Sequence, residues 1–128
     1  MPHTETVQLM GGSFAHPDEI REFTDGTGRI EIVDLNGNPI GLGTFAPGWR
    51  WSENGRSLTG TDSCQAEHVG YVLEGRLAAR MDDGAEHVFG PGEVFHIPPG
   101  HDSWTDGDVT CRVVDFGGLR GYAHQPGV

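Results

Sequence analysis

The sequence predicts an all-β protein, an antiparallel barrel or sandwich of short strands. Two observations predict this class. The 21 glycines and 8 prolines of the 128-residue chain are not scattered among polar residues but separate short apolar runs. In several of these runs, the side chains at odd positions and those at even positions form two different sets, as in residues 68–73. Alternation with a period of two is the pattern of a half-buried strand, and many short strands divided by turn residues are typical of barrels and sandwiches.

Near the N-terminus, Pro17 and the three-residue spacing of Ile20 and Phe23 predict one short helix of a turn or two, the only helix expected. Turn sequences such as Asn36-Gly37 and Asp106-Gly107 then separate the expected strands. The expected strands span residues 29–35, 40–46, 67–73, 76–81, 86–89, 93–97, 102–105 and 109–116. A barrel of about eight to ten strands follows.

The length predicts a single domain, residues 1–128, with an N-terminal arm (1–27), a barrel (28–116) and a flexible tail (117–128). The formal net charge is −11, which argues against nucleic-acid binding. The sequence has no long apolar run and no signal-peptide pattern at its N-terminus, so we expect a cytoplasmic protein that does not contact a membrane. In that compartment Cys64 and Cys111 are expected to be free thiols.

The segment GPGEVFHIPPGHDSW, residues 90–104, predicts a strand bounded by two turns. Its spacing resembles the second signature of the cupin superfamily, which runs glycine, five residues, proline, one residue, glycine, two residues and histidine. Gly92, Pro98 and Gly100 match, but Ser103 stands where the family has histidine. Upstream, the first cupin motif places a metal-binding carboxylate seven positions before a glycine. Counting back from Gly75 puts His68 there.

The same count places the two motif histidines at Asp62 and Cys64, so none of the four family metal positions holds the family's residue type. The resemblance covers residues 48–116 and implies a jelly-roll barrel of the double-stranded β-helix type. Four segments also resemble a group of small single-domain cupins: PGWRW (47–51), GTDSCQ (60–65), HVGYV (68–72) and IPPGHDSW (97–104). The resemblance implies a fold and a pocket, and it does not imply a reaction.

A metal site is one interpretation of this pocket. Residues 62, 64 and 68 are all even-numbered, so on a continuous strand their side chains would lie on one face. The cupin match places that face inside the barrel. His101 lies two residues before position 103, so its side chain would point to the same face of the strand, one step nearer the rim of the barrel. Thiolate and imidazole ligands suit zinc or iron, because both are borderline-soft donors. The expected cofactor is one divalent metal ion: zinc, iron, nickel or manganese. The predicted ligands are Cys64, His68 and His101, with Asp62 or Glu53 as an oxygen ligand.

Each of these residues also has a structural interpretation. Cys64 can be a buried apolar side chain, His68 a hydrogen-bonded core residue, and His101 with Asp102 a turn cap. Aromatic side chains can form flat walls for a ligand, or they can plug one end of the barrel. The predicted ligand-binding residues are Trp49, Trp51, Tyr71, Phe95 and Trp104.

Two functions follow from this pocket. The first is an enzyme acting on a small molecule by proton transfer or metal-assisted chemistry, as an isomerase, dehydratase, cyclase or oxygenase. Its catalytic residues would be His68 and His101, and without a metal His68 would be the general base. The alternative is a non-catalytic ligand-binding or sensory barrel. We also expect a homodimer, because an unpaired segment before Arg29 would leave an exposed sheet edge for a second copy.

Overall fold

Two antiparallel β-sheets enclose an apolar core in the computed structural model, which describes residues 7–117. Within those residues the elements are β1 (Glu19–Glu22), β2 (Gly28–Leu35), β3 (Asn38–Phe45), α1 (Trp51–Asn54), α2 (Arg56–Thr59), β4 (His68–Glu74), β5 (Leu77–Met81), β6 (Glu86–Phe89), β7 (Val94–Ile97), β8 (His101–Thr105) and β9 (Cys111–Asp115). A 3₁₀ turn, Thr24–Gly26, lies between β1 and β2.

The larger sheet has six strands in the order β1-β2-β3-β9-β4-β7, and the smaller has three in the order β6-β5-β8. All neighbouring strands are antiparallel. Side chains alternate across each sheet, so that in β9 Cys111, Val113 and Asp115 are buried while the two residues between them are less so. The inward rows of both sheets meet in the core and determine which side chains reach the candidate site.

The predicted all-β class is confirmed, and each of the eight predicted strands corresponds to one of the observed strands β2 to β9. The turn glycines explain part of this agreement. Gly100, which comes directly before β8, has φ of +92°, a conformation that costs glycine little and other residues more. Its backbone N–H donates to the carbonyl of Cys64 at 2.7 Å. This turn therefore fixes where β8 begins relative to Cys64.

The predicted N-terminal helix is wrong, because β1 occupies that segment and pairs with β2 from Glu19 opposite Ile32 to Glu22 opposite Arg29. The spacing of Ile20 and Phe23 suits a helix, but the two side chains do not share a buried face. Phe23 is buried in the core, whereas Ile20 is exposed. The segment expected to be unpaired before Arg29 is paired with β2 over residues 19–22, and β1 itself forms one edge of the larger sheet. The expected flexible tail, apart from Gly117, lies outside the described residues.

The helical turns α1 and α2 were not predicted. The side chain of Asn54 accepts a hydrogen bond from the backbone N–H of Arg50 at 3.0 Å, which closes the first turn. Gly60, with φ of +76°, ends α2 in the left-handed conformation common at helix C-termini. These turns lie between β3 and β4 and hold Trp49 and Trp51 against the core.

Candidate functional site

Three potential metal ligands, Cys64, His68 and His101, converge inside the fold. Their ligand atoms all lie within 4.8 Å of one another. His68 is the first residue of β4 and His101 the first of β8, whereas Cys64 lies in the loop before β4. Cys64 reaches His101 because their backbones form an isolated β-bridge, with the N–H of Cys64 donating to the carbonyl of His101 at 2.7 Å. Backbone pairing therefore positions the thiol between the two strand ends.

Both imidazole rings are fixed by a second hydrogen bond on the far side from the thiol. His68 Nδ1 lies 2.6 Å from Asp115 Oδ2, and His101 Nδ1 lies 2.7 Å from the carbonyl oxygen of Pro98. A carbonyl can only accept, so Nδ1 of His101 carries a proton, and Nε2 is the ring atom that remains for other bonds. The Nε2 of His68 lies 4.0 Å from Cys64 Sγ. A carboxylate or carbonyl behind a ligating histidine is the usual support of protein metal sites.

The electrostatics of the cluster favour a thiolate. Burial raises the pKa of Cys64, but hydrogen bonds and charge interactions with His101 and His68 outweigh it and lower that pKa to about 6. Burial likewise lowers the pKa of His68, and its bonds to Asp115 and Cys64 overcome this and raise it to about 10. Without a metal the cluster is therefore a thiolate beside an imidazolium. The deprotonated thiol is also the form that binds metals.

The residues present fit a divalent transition metal. One thiolate and two imidazoles are donors that zinc and iron accept, and three protein ligands leave a fourth position for a ligand, as in catalytic zinc sites. Bond lengths of about 2.0 Å to nitrogen and 2.3 Å to sulfur place tetrahedral ligand atoms roughly 3.5 Å apart. The 4.0 Å between Cys64 Sγ and His68 Nε2 requires a small contraction to reach that separation, and no two ligand atoms of the cluster are more than 4.8 Å apart.

A cavity of about 50 Å³ adjoins the cluster. Cys64, His68, His101, Ser103 and Asp115 form its polar part, and the rest of its wall is apolar. The remaining lining residues are Phe23, Ile30, Gly43, Phe45, Trp49, Trp51, Leu77, Phe95, Ile97 and Val113.

The two cavity tryptophans are unusual in their hydrogen bonding. The Nε1 atoms of both Trp49 and Trp51 are buried, and neither has a hydrogen-bond acceptor within the described part of the chain. Trp49 also stacks on Phe45, with ring centroids 4.2 Å apart. Buried indole N–H groups normally have a partner. Their rings line the wall, while the Nε1 atoms themselves are not accessible.

Two predicted oxygen ligands lie away from the cluster. The Asp62 side chain is 99% exposed and pairs with Arg56 at 2.9 Å. Glu53 is on the surface beside Arg50. The parity argument fails for Asp62 because no described strand includes residues 60–67, so alternate side chains there need not share a face.

Two of the five predicted aromatic residues do not line the cavity. Tyr71 lies on the outer face of β4 and is exposed. Trp104 faces outward from β8, with the Arg50 guanidinium 4.3 Å from its ring centroid. Trp49, Trp51 and Phe95 do line it.

Sequence reasoning missed Asp115. The alternation along β9 could have indicated it, because Asp115 follows Cys111 and Val113 at every second position and so lies in the same inward-facing row. A carboxylate in such a row requires a partner, which here is His68. Ser103, the position that the family motif gives to histidine, lines the cavity two residues after His101.

Comparison with known proteins agrees with this fold. Residues 60–117 match the family model of the cupin domain. The two-sheet architecture agrees with this match, and together they support a small cupin domain. No curated protein matches the sequence. None of the described helices is long and apolar enough to cross a membrane.

Solved structures share the fold at low identity. A protein of unknown function from Rhizobium leguminosarum is 22% identical with a TM-score of 0.59, over 86% of this chain and 98% of that chain. A sugar phosphate isomerase from a cupin superfamily, from Silicibacter pomeroyi, is 19% identical with a TM-score of 0.54, over 78% and 70%. Oxalate decarboxylase of Lactobacillus farciminis, in a formate complex, is 17% identical with a TM-score of 0.53, over 78% and 30%.

Proposed function

We propose that this cupin binds one divalent transition metal through Cys64, His68 and His101. We propose further that it performs metal-assisted proton transfer on a small molecule, as an isomerase, dehydratase or cyclase. The observation that carries the proposal is the orientation of the two imidazoles. Each has its Nδ1 bonded to a fixed acceptor, Asp115 or Pro98, and the ligand atoms of the cluster converge.

A purely structural role for these residues explains the arrangement less well. A buried imidazole requires hydrogen-bond partners and contributes less to packing than an aliphatic side chain would. Here two imidazoles and a thiol meet beside a cavity, and His101 is only 1% exposed. Burying these polar groups costs desolvation free energy. Such a cost is expected where the groups bind a ligand or take part in a reaction.

When bound, the metal would act as a Lewis acid that polarises a carbonyl oxygen and so acidifies the neighbouring carbon. Asp115 keeps a proton on Nδ1 of His68 and holds the ring in place. The Pro98 carbonyl does the same for His101. The aromatic wall around Trp49 excludes water from the substrate. In a metal-free site, His68 and the Cys64 thiolate would form the proton-transfer pair, since Asp115 stabilises the imidazolium.

Metal content tests the first part of the proposal. Protein purified without a histidine tag is treated with a chelator, dialysed and titrated with cobalt(II). We expect one equivalent to bind, with a thiolate-to-cobalt charge-transfer band in the near ultraviolet. Cys64→Ser should lose that band. Cys111→Ser is the matched control and should keep it, because Cys111 is a buried free thiol that is not part of the cluster.

The histidines have a matched control as well. His101→Asn and His68→Asn should each weaken cobalt binding by at least tenfold, because only two of the three protein ligands would remain. His96→Asn should bind like wild type, because His96 lies at the surface and pairs with Glu67 at 2.7 Å. Wild-type protein that binds no metal, or cluster variants that bind like wild type, would overturn the metal proposal.

A non-catalytic ligand-binding barrel remains the second candidate. It is favoured by the replacement of the family's residue type at all four motif positions and by the outward position of Asp62. It predicts that the tryptophan fluorescence of metal-free protein responds to a small ligand and that adding a metal leaves the response unchanged. The enzyme proposal predicts that the response requires the metal.

A further inference from the structure

Among residues 7–117, no positively charged side chain lies at the apolar end of the cavity wall. Neither arginine nor lysine is among the lining residues of that part of the chain, and the whole chain contains only eight basic residues against nineteen acidic ones. Phosphates and dicarboxylates are normally bound by arginine, lysine or several backbone N–H groups. A phosphorylated sugar or a dianion such as oxalate would therefore lie in this cavity without a compensating charge.

The polar end does not supply that charge when a metal is bound. Ligation uses the thiolate of Cys64 and the neutral forms of His68 and His101. The carboxylate of Asp115 lies behind His68. One thiolate and one carboxylate together cancel the two positive charges of a divalent ion. The centre is then electrically neutral overall, which favours an uncharged ligand over an anion.

The size of the cavity sets a second limit. The cavity of about 50 Å³ is small beside the roughly 300–1,000 Å³ of pockets that bind drug-sized ligands, so it suits a small ligand. Aromatic and branched aliphatic side chains enclose its apolar part, among them Phe45, Phe95 and Ile97. Apolar walls bind apolar groups and exclude hydroxyl-rich molecules, because each buried hydroxyl needs a partner.

The indole rings of Trp49 and Trp51 add no charge to the wall. The indole N–H groups of Trp49 and Trp51 lack acceptors among the described residues. Given the proposed metal site, on which this step depends, we propose that the cavity binds a small uncharged carbonyl compound with an apolar body, such as a short-chain ketone or aldehyde. Its oxygen would take the open ligand position beside Cys64, His68 and His101, and its carbon chain would lie against the aromatic wall.

The test uses ketones as probes. Cobalt-loaded protein is titrated with 2-butanone, 2-pentanone and 2-heptanone, and with 2-butanol, oxalate and ribose 5-phosphate. The visible cobalt bands and tryptophan fluorescence are both recorded. We expect saturable changes in both signals with 2-butanone and at least tenfold weaker binding of 2-heptanone. Oxalate, the sugar phosphate and 2-butanol should bind at least tenfold more weakly than 2-butanone.

A pair of valines on one strand supplies the matched variants. Val113 lines the cavity from the inward face of β9, and Val114 lies on the outward face of the same strand. Val113→Ala enlarges the cavity and should tighten the binding of 2-heptanone relative to 2-butanone. Val114→Ala should leave that ratio unchanged.

The outcomes separate this inference from the metal proposal. If cobalt does not bind to the three-residue cluster, the metal proposal fails. If cobalt binds there but oxalate or ribose 5-phosphate binds more tightly than every ketone, only the carbonyl assignment is wrong. Equal binding of 2-butanol and 2-butanone, or of 2-butanone and 2-heptanone, would also contradict the carbonyl assignment and leave the metal proposal unaffected.

Discussion

At the scale of single residues, the two cysteines have opposite environments. The pKa of Cys64 is lowered to about 6 by its histidine neighbours, which overcome the effect of burial. The pKa of Cys111 is raised to about 12 by burial and by the charge of Glu74. Only the thiolate attacks alkylating reagents. In metal-free protein at pH 7.5 we expect iodoacetamide to modify Cys64 and not Cys111, as measured by mass spectrometry of the peptides.

The metal supplies the control for this experiment. A bound ion should protect Cys64, since its sulfur would be a ligand. Below pH 6 the reaction should slow, because the thiolate takes up a proton. Modification of Cys111 before Cys64, or no protection by any divalent metal, would contradict this picture of the two thiols.

The thiolate also makes a pH-dependent contribution to stability. Because the folded pKa of Cys64 lies below its usual 9.0, its contribution is fully present above pH 9 and is lost as the pH falls through 6. His68 acts oppositely. Its folded pKa of about 10 exceeds 6.5, so its contribution is present below pH 6.5 and is lost as the pH rises through 10. Between pH 6.5 and 9 the two trends oppose each other.

Replacing the thiol separates the two trends. In metal-free protein, the difference in thermal midpoint between wild type and Cys64→Ser should grow as the pH rises from 6.5 to 9, because only wild type gains the thiolate contribution. For Cys111→Ser the difference should stay constant, since both the usual pKa of that thiol and its folded value of about 12 lie at or above pH 9. A constant difference for Cys64→Ser would show that no stabilised thiolate exists.

Residue patterns predicted the core of the site but not its surroundings. Cys64, His68 and His101 were found from motif spacing and parity, and the structure brings them together. Asp115 was missed, because nothing in the local pattern of β9 shows that β4 and β9 are neighbours and that the side chain of His68 reaches Asp115. Contacts between distant strands depend on topology, which a single sequence specifies only indirectly.

At the scale of elements, turn chemistry predicted β2 to β9, since glycine and proline mark where strands end. The segment that became β1 has one buried aromatic residue, Phe23, just beyond its end, and its exposed Ile20 gave a misleading helical spacing. Pairing with β2 decided the conformation of this segment. Local propensity is a weak guide where an edge of a sheet is available.

One partly buried carboxylate joins the helical turn to the smaller sheet. Asp102 of β8 accepts hydrogen bonds from the N–H and hydroxyl groups of Ser52, at 2.9 and 2.8 Å, and from the Arg50 guanidinium at 3.0 Å. Hydrogen bonds to a charged group each contribute about 1.5–3 kcal/mol, less than additively. Asp102→Ala should lower the free energy of unfolding by about 2 kcal/mol in a denaturant titration.

A second carboxylate provides the comparison. Asp106 pairs with Arg76 at 2.9 Å near the surface, and exposed pairs contribute at most about 1 kcal/mol. Asp106→Ala should therefore cost less than Asp102→Ala. Equal costs would mean that Asp102 does not anchor α1 to β8.

At the scale of the whole molecule, the larger sheet has an exposed apolar face. Val69 and Tyr71 of β4 and Val94 of β7 point away from the core, and Val94 is 73% exposed. Apolar surface of this kind is typical of interfaces between subunits. The N-terminal segment is not unpaired, since β1 pairs with β2 and forms one edge of this sheet; we expect the homodimer to use the apolar face.

Charge provides a test of such a dimer. Two chains of net charge −11 repel each other, and salt screens this repulsion over about 10 Å at 0.1 M. An apolar interface should therefore tighten as salt is added. Light scattering should give twice the 13.8 kDa chain mass, with a dimer fraction that increases with ionic strength.

Substitutions identify the face that forms the dimer. Val94→Arg and Tyr71→Arg should each produce a monomer, because a charge at the centre of an apolar interface loses its hydration without gaining a partner. Val109→Arg is the control: Val109 is also exposed but lies in the turn between β8 and β9, away from this face, so that variant should stay dimeric. A monomeric wild type, or a dimer that Val94→Arg leaves intact while Val109→Arg dissociates it, would rule out this face as the interface.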